Sequence, residues 1–221
     1  MDMKVLESLS LCPLFSGFEK KDIEATMADV RYRIIEYSRH EIYALAGMPC
    51  RNADIIIDGT LVCRMSATEK QVEVSRLHKG NIVAPAFIFG KDNGMPVGVE
   101  TDTPVTILRI SKEEFGRLLE TNYRINTNFI RILSNINIFL TRRMRIISLF
   151  SVREKVAWFL FEIAAEQGSS TIHLARSRQE IANSFGIHKF SLLRVLSDFQ
   201  NEGAIKINGK DITILDRNKM K

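Results

Sequence analysis

The chain is poor in cysteine. Three are spread over 221 residues, at Cys12, Cys50 and Cys63. An odd number at these spacings forms neither a disulfide framework nor a zinc motif, and a reducing cytoplasm is the simplest expected compartment. No uninterrupted apolar run approaches the roughly 20 residues that a membrane span needs, so no membrane partner is expected. The opening stretch, MDMKVLESLSLCPLF, carries acids and lacks a basic start followed by an apolar core, which argues against a secretory signal. Also missing are a Ser–His–Asp order, a metal-ligand spacing and a phosphate-binding glycine loop. Glu113 and Glu114 are adjacent acids, but they sit where a helix begins and need no catalytic role. The chain is therefore not expected to be an enzyme.

What the chain does carry is unevenly distributed charge. Residues 1–140 hold 17 Lys and Arg against 18 Asp and Glu, whereas residues 141–221 hold 14 against 8, a balance of +6. A solvated basic face explains that excess as readily as a phosphate footprint does. The same region contains SRQEIANSFGIHKFSLLRVL, from Ser177 to Leu196. Ser177 with Glu180 three residues later predicts a capped helix start. Ile181, Ala182 and Phe185 give that helix an apolar face, and Gly186 suits a tight interhelical turn. A second helix follows with Leu192, Leu193, Val195, Leu196 and Phe199 as its apolar positions. His188, Lys189, Ser191 and Arg194 cluster in its first two turns, where a recognition helix meets bases and phosphates. Such a helix pair also occurs as plain scaffold, and the rest of the chain decides between the two.

Residues 4–28 read as helix interrupted at Pro13. From about 30 to 110, short β-branched runs alternate with turn residues. Asp58-Gly59 between IIID and TLVC is a strong hairpin signal, and the many short strands predict a sandwich, barrel or jelly roll. Ser111 with Glu114 predicts a second capping box. A long helix is expected from about Asn122 to Ile147. Its residues Ile125, Phe129, Ile132, Ile136 and Phe139 step by 4, 3, 4 and 3, the spacing of a coiled-coil seam. Beside them runs a second row of Ile130, Leu133, Leu140, Met144 and Ile147. One row packs on the β-domain and the other on a partner helix, or both form one wide face within a single chain; the first arrangement, with Ile125 to Phe139 as the dimerisation row, is the expectation. Ser151 with Glu154 predicts a third capping box opening the helix Val152–Gln167. Downstream of the helix-turn-helix, Asn208-Gly209 is a two-residue hairpin turn. A helix-turn-helix followed by a hairpin is a winged helix, with Lys206 and Lys210 near the wing tip.

This order resembles the catabolite-activator superfamily, the Crp/Fnr regulators, over essentially the whole chain. The most specific segment is Arg178-Gln179-Glu180-Ile181-Ala182, then Gly186, then the second helix. The resemblance implies an α+β protein: an N-terminal jelly-roll-like β-roll of the cyclic-nucleotide-binding kind, a long dimerisation helix and a C-terminal winged helix-turn-helix. The expected divisions are 1–121, 122–149 and 150–221. It further implies a homodimer on a near-palindromic site in double-stranded DNA, with RNA polymerase as a further partner. Where the family often reads Ser-Arg-Glu-Thr-Val-x-Arg, this chain has His188-Lys189-Phe190-Ser191-Leu192-Leu193-Arg194. Lys189, Phe190 and Arg194 are the expected base readers. Arg194 suits the O6/N7 edge of guanine, and Phe190, where the family has glutamate, can touch a thymine methyl but cannot accept from cytosine. Packing within the winged helix is the other use for Phe190. Ser177, Arg178, His188, Ser191 and Lys210 are the expected phosphate contacts.

The resemblance breaks at the effector site. Cyclic-nucleotide-binding relatives carry Phe-Gly-Glu-Leu and then Arg-Ser or Arg-Thr. Here the first segment is Gly80-Asn81-Ile82-Val83-Ala84-Pro85-Ala86, with Pro85 about where the glutamate belongs, and the second is Gly94-Met95-Pro96-Val97. Cyclic AMP is thus not expected to bind tightly. Nor is an iron–sulfur cluster, because four thiolates are not available. The apolar residues Ala84, Pro85, Phe87, Phe89, Met95 and Val97 either fill a collapsed roll or line a pocket for haem or another hydrophobic effector, with His78, Met48, Met65 and Met95 as conceivable haem ligands. An unidentified small effector, a constitutive regulator with an empty pocket, and a signalling module whose winged helix contacts protein all remain open at this stage.

Overall fold

The computed structural model describes residues 1–67 and 70–220. It opens with α1 (Met3–Leu11), a single 3-10 turn at Pro13–Phe15 and α2 (Lys20–Ala28). The Asp2 carboxylate accepts from the Lys4 amide at 2.7 Å and caps α1. Pro13 has no amide hydrogen to continue α1, so the helix ends before it.

Seven strands follow: β1 (Tyr32–Tyr37), β2 (Ile42–Ala44), β3 (Asn52–Asp58), β4 (Leu61–Ala67), β5 (Lys70–Leu77), β6 (Gly98–Thr101) and β7 (Val105–Ser111). They form two antiparallel sheets, ordered β1-β7-β3 and β2-β6-β4-β5. The β-branched pair Ile82–Val83 makes only an isolated bridge, from Ile82 to Ile55. In β3 and β7 both faces are covered. Ile56, Val105 and Ile107 point into the roll with Leu61, Cys63 and Val99. Ile55, Ile57, Leu108 and Ile110 point outward into a second core with Leu9, Leu14, Phe15 and Ile23 of the N-terminal helices. Burial on both sides is why IIID and TILRI read as continuous apolar runs rather than alternating ones.

The helix α3 (Lys112–Thr121) begins at Ser111, whose hydroxyl accepts from the Glu114 amide. The expected box is half made, because the Glu114 carboxylate is taken by Arg117. The long helix α4 spans Tyr123–Leu149. Here the structure corrects the assignment of its rows. Ile125 is fully buried and Phe129 nearly so in the outer core, with Ile132 packed beside them. Ile125 and Phe129 are spent on their own β-roll, while Ile132 and, from the second row, Leu133 are half-buried against the same core. Ile136 is half-buried and Phe139 exposed. The contacts divide the chain into units 1–138 and 139–221, so the division falls inside α4 rather than at either of its ends.

The second unit holds α5 (Val152–Gln167), β8 (Thr171–His173), α6 (Arg178–Ser184), α7 (Lys189–Asn201), β9 (Ile205–Asn208) and β10 (Asp211–Ile214). Both halves of the Ser151/Glu154 capping box are made, and Gly168 ends α5 in the left-handed conformation. The small sheet is ordered β8-β10-β9. Its core joins Phe159 and Leu160 of α5, Phe185, Leu192, Leu196 and Phe199 of the helix pair, and Ile205 and Ile212 of the hairpin.

Candidate nucleic-acid interface

The Ser177 hydroxyl accepts from the Glu180 amide at 3.2 Å, and the Glu180 carboxylate accepts from the Ser177 amide at 2.7 Å. These reciprocal bonds satisfy two donors that the first turn of α6 would otherwise leave open. They also hold the Glu180 carboxyl below its ordinary range, the Ser177 amide contributing most. After α6, Gly186 takes φ +63, and the Ile187 amide turns back to the Ala182 carbonyl at 3.1 Å.

In α7, Leu192, Leu196 and Phe199 are buried, so the opposite side faces solvent. That side carries Phe190, Leu193 and Arg194, with Lys189 exposed at the first residue of the helix, and Phe190 is 84% exposed. Its ring is therefore not used for packing within the domain. Ser191 is half-buried, while His188 caps α7 by position only, without a side-chain bond. Among the described residues, no carboxylate lies within ion-pair reach of Lys189, Arg194, Lys206 or Lys210. Elsewhere in the same unit, Arg153 is committed to Glu202 at 2.6 Å. Unpaired cations with an exposed aromatic ring form a surface that can accept a polyanion.

The wing joins this surface through Arg178. Its Nη2 donates to the Gly209 carbonyl at 2.9 Å, so the first residue of α6 holds the β9–β10 turn. Gly209 sits at φ +60, as the two-residue hairpin requires. Burial lowers the Arg178 guanidinium pKa from its ordinary value. Sequence reading singled out Arg178 but not its bond to the wing. It missed Arg143 altogether: its Nη2 donates to the Ser184 carbonyl at 2.7 Å.

The β-roll presents a different kind of site. A cavity of about 170 Å³ is lined in part by Tyr37, Tyr43, Cys50, Asp54, Met95 and Arg109. Asp54 is 1% exposed. It accepts from Arg109 Nε at 2.9 Å, from Arg109 Nη2 at 2.6 Å and from the Tyr43 hydroxyl at 2.6 Å. Arg109 also donates to the Tyr37 hydroxyl at 3.3 Å. The bonds to Asp54 raise the Arg109 pKa, and burial above all, with Asp54 second, raises that of Tyr43. Cys50 Sγ lies 3.1 Å from Met95 Sδ.

The cavity is thus less apolar than the sequence suggested. Val83, Met95 and Val97 belong to the inner core, with Ala84 and Phe87 packed against it. Pro85 opens a 3-10 turn, after Ala84 at φ +44. Phe89 does not line the roll: it stacks on Phe115 at 5.9 Å and meets Phe129 edge-on at 6.1 Å, outside the inner sheet face. Of the conceivable haem ligands, Met48 and Met95 line the cavity. Met65 is exposed, and His78 is an exposed residue bonded to Thr60. Of the two arginines that line the cavity, Arg109 is already neutralised by Asp54 and Arg51 is exposed, and Gly80–Ala86 offers no carboxylate. These residues do not fit a cyclic nucleotide.

A β-roll followed by a long helix and a winged helix-turn-helix defines the architecture of a two-domain regulator. Comparison with known proteins narrows the class. Residues 34–122 match the cyclic nucleotide-binding domain and residues 154–221 the Crp-like helix-turn-helix domain. The chain belongs to the Crp/Fnr family of transcription regulators. The nitrogen fixation regulation protein FixK of Bradyrhizobium diazoefficiens is 34% identical over 124 residues, covering 51% of this chain and 49% of that protein. The transcriptional activator protein anr of Pseudomonas aeruginosa is 29% identical over 126 residues, covering 55% and 52%. The chain thus spans about half the length of the curated relatives it matches. In fold it is similar to a CooA mutant from Carboxydothermus hydrogenoformans, with a TM-score of 0.67, 18% identity and coverage of 95% and 93%. It is also similar to the c-di-GMP responsive regulator CLP of Xanthomonas campestris, with a TM-score of 0.65, 21% identity and coverage of 89% and 99%. Among the described residues, no helix is long and apolar enough to cross a membrane.

Proposed function

We propose that this protein is a sequence-specific, DNA-binding transcription regulator that acts as a homodimer on a near-palindromic operator. The observation that carries the reading is the exposed surface of α7, with Phe190 and Arg194 on its solvent face and Lys189 at its first residue, none of them within ion-pair reach of an acid among the described residues. In this reading α7 enters the major groove. Lys189, Phe190 and Arg194 meet base edges, while His188, Ser191, Ser177, Arg178 and Lys210 hold phosphates. Two such heads in successive major grooves require a spacing of about 34 Å.

The dimer seam is the second row of α4. Ile130, Leu133, Asn137, Leu140, Met144 and Ile147 step by 3, 4, 3, 4 and 3. Ile130, Leu140, Met144 and Ile147 are exposed apolar residues in the single chain, and Leu133 is half-buried against the outer core. Asn137 occupies a central seam position, where a polar residue sets register and strand number at some cost in stability. RNA polymerase is the proposed partner for activation, and the controlling signal is not cyclic AMP. Calorimetry giving submicromolar cyclic AMP affinity would refute that last point.

Selection of DNA sites from a random pool tests the whole reading. A two-fold symmetric consensus is expected, and Arg194→Ala should lose about 1–3 kcal/mol and relax one base pair per half-site. Unchanged operator affinity in the Arg194 variant would overturn the assigned docking of α7.

A further inference from the structure

The contacts of α4 within the second unit are few. Of residues 139–149 only Ile146 is buried. An apolar contact of that kind is non-directional and does not fix the rotation of a helix. Arg143, three residues earlier and half-buried, supplies direction. Its Nη2 donates to the carbonyl of Ser184, the last residue of α6, at 2.7 Å. That carbonyl is one of the acceptors a helix end leaves open, and no backbone amide among the described residues takes it up. The same guanidinium stands 4.5 Å over the Phe185 ring and 5.8 Å over the Trp158 ring. Phe185 closes the turn between α6 and α7 and is buried. Arg143 is therefore held at once by a helix terminus, a buried aromatic ring and the only tryptophan in the chain.

We propose that Arg143 is a positioning residue for DNA recognition: it latches α4 to the end of α6 and so fixes the orientation in which the helix-turn-helix is carried. The inference rests on the reading of the protein as a dimeric DNA reader and names the residue through which the dimer helix holds each head. The seam residues Leu140, Met144 and Ile147 lie about a quarter turn round the helix from Arg143 and Ile146. A change in seam packing that rotates α4 therefore moves Ser184, and the recognition helix after it, through this bond. A lysine cannot replace the latch in full, because it keeps the charge but loses the planar fork that bonds and stacks together.

The test compares the full chain with its Arg143→Ala and Arg143→Lys variants. The parent first selects its operator from a random DNA pool. Fluorescence anisotropy then measures affinity for the complete palindrome and for a duplex carrying one half-site, while Trp158 emission and far-UV circular dichroism are recorded without DNA. For Arg143→Ala, palindrome affinity should fall about tenfold, the scale of one charge-assisted hydrogen bond, with half-site affinity within about twofold of the parent. Trp158 emission should change with the secondary structure intact, and Arg143→Lys should fall between the two. Equal loss on palindrome and half-site would mean that Arg143 merely holds the domain together, and would overturn the proposal. So would unchanged palindrome affinity or unaltered Trp158 emission. If Arg143→Ala fails to fold, the palindrome-to-half-site ratio of Arg143→Lys decides by the same criteria. If the parent selects no sequence at all, the DNA reading itself falls; the Trp158 response still reports the contact, so the two failures are distinguishable.

Discussion

Phe190 offers the sharpest perturbation, because its exposure separates a role in binding from a role in folding. The residue is 84% exposed, so its truncation removes almost no packing from the winged helix. A surface substitution of this kind is expected to stay within about 0.5 kcal/mol of the parent in unfolding. On docking, the ring can bury most of its area against a thymine methyl. Full burial of a phenylalanine side chain is worth about 1.5–3 kcal/mol. Scaled by its present exposure, Phe190→Ala should cost about 1.3–2.5 kcal/mol of operator binding, or roughly ten- to seventyfold in Kd. Anisotropy titration at fixed salt measures the loss, and urea unfolding provides the stability control. Phe190→Glu adds a second signature: a carboxylate at this site accepts from cytosine N4, so the preferred base should move toward a C·G pair. Undiminished operator affinity in Phe190→Ala would refute the assignment of the ring to DNA. A large fall in stability would refute the claim that it is unused within the domain.

Four further outcomes follow from other contacts. Arg178→Ala should weaken binding to all sequences alike and reduce the slope of log affinity against log salt by about 1, as the loss of one phosphate contact requires; a sequence-dependent loss would contradict this. Asn137→Leu should tighten self-association in sedimentation experiments, because it removes a polar residue from the seam; an unchanged dissociation constant would place the seam elsewhere. Asp54→Ala strands Arg109 and Tyr43. Breaking a buried pair costs about 3–5 kcal/mol, so with the Arg109 side chain 26% exposed about 2–4 kcal/mol should be lost from unfolding of the roll in urea. Acid should loosen the second unit. Glu154 and Glu180 are held below the ordinary 4.5 by their Ser151 and Ser177 partners, so their contribution is complete above that value and is lost as pH falls through the lower folded one. Helical circular dichroism of Glu180→Gln should respond less to acid than that of the parent.

The caps, the hairpin turns and the alternation of textures were legible because they are local. Ser177 and Glu180, or Asn208 and Gly209, act within a few residues, and the structure makes the bonds their types predict. The rows of α4 were not separable in this way. Both rows alternate steps of 3 and 4, and the outer core takes up Ile125 and Phe129 of the first fully while also touching Leu133 of the second. The roll interior was misjudged for a related reason. Asp54 and Arg109 are 55 residues apart and meet only through the β3–β7 register. Alone in its own apolar strand, neither residue signals the other. In the β3–β7 register the two stand directly opposite, both on the inward parity. Arg143 left no comparable trace. Its partner is a backbone carbonyl, which has no sequence signature.

That internal ion pair constrains the signal more firmly than the missing cyclic-nucleotide anchors do. Arg51 also lines the cavity, but an anionic effector that uses Arg109 must draw it away from Asp54. This leaves a carboxylate that is 1% exposed without its counter-charge, and an orphaned buried charge costs several kcal/mol. A cationic effector meets the converse problem at Arg109. A neutral effector leaves the pair intact. It needs only the aromatic walls of Tyr37 and Tyr43 and the sulfur-lined floor of Cys50 and Met95, and it gains by burying apolar surface in a cavity of about 170 Å³. The salt bridge thus disfavours a ligand, phosphate ester or cation, that must compete for Arg109 or Asp54, and spares one that binds beside the intact pair.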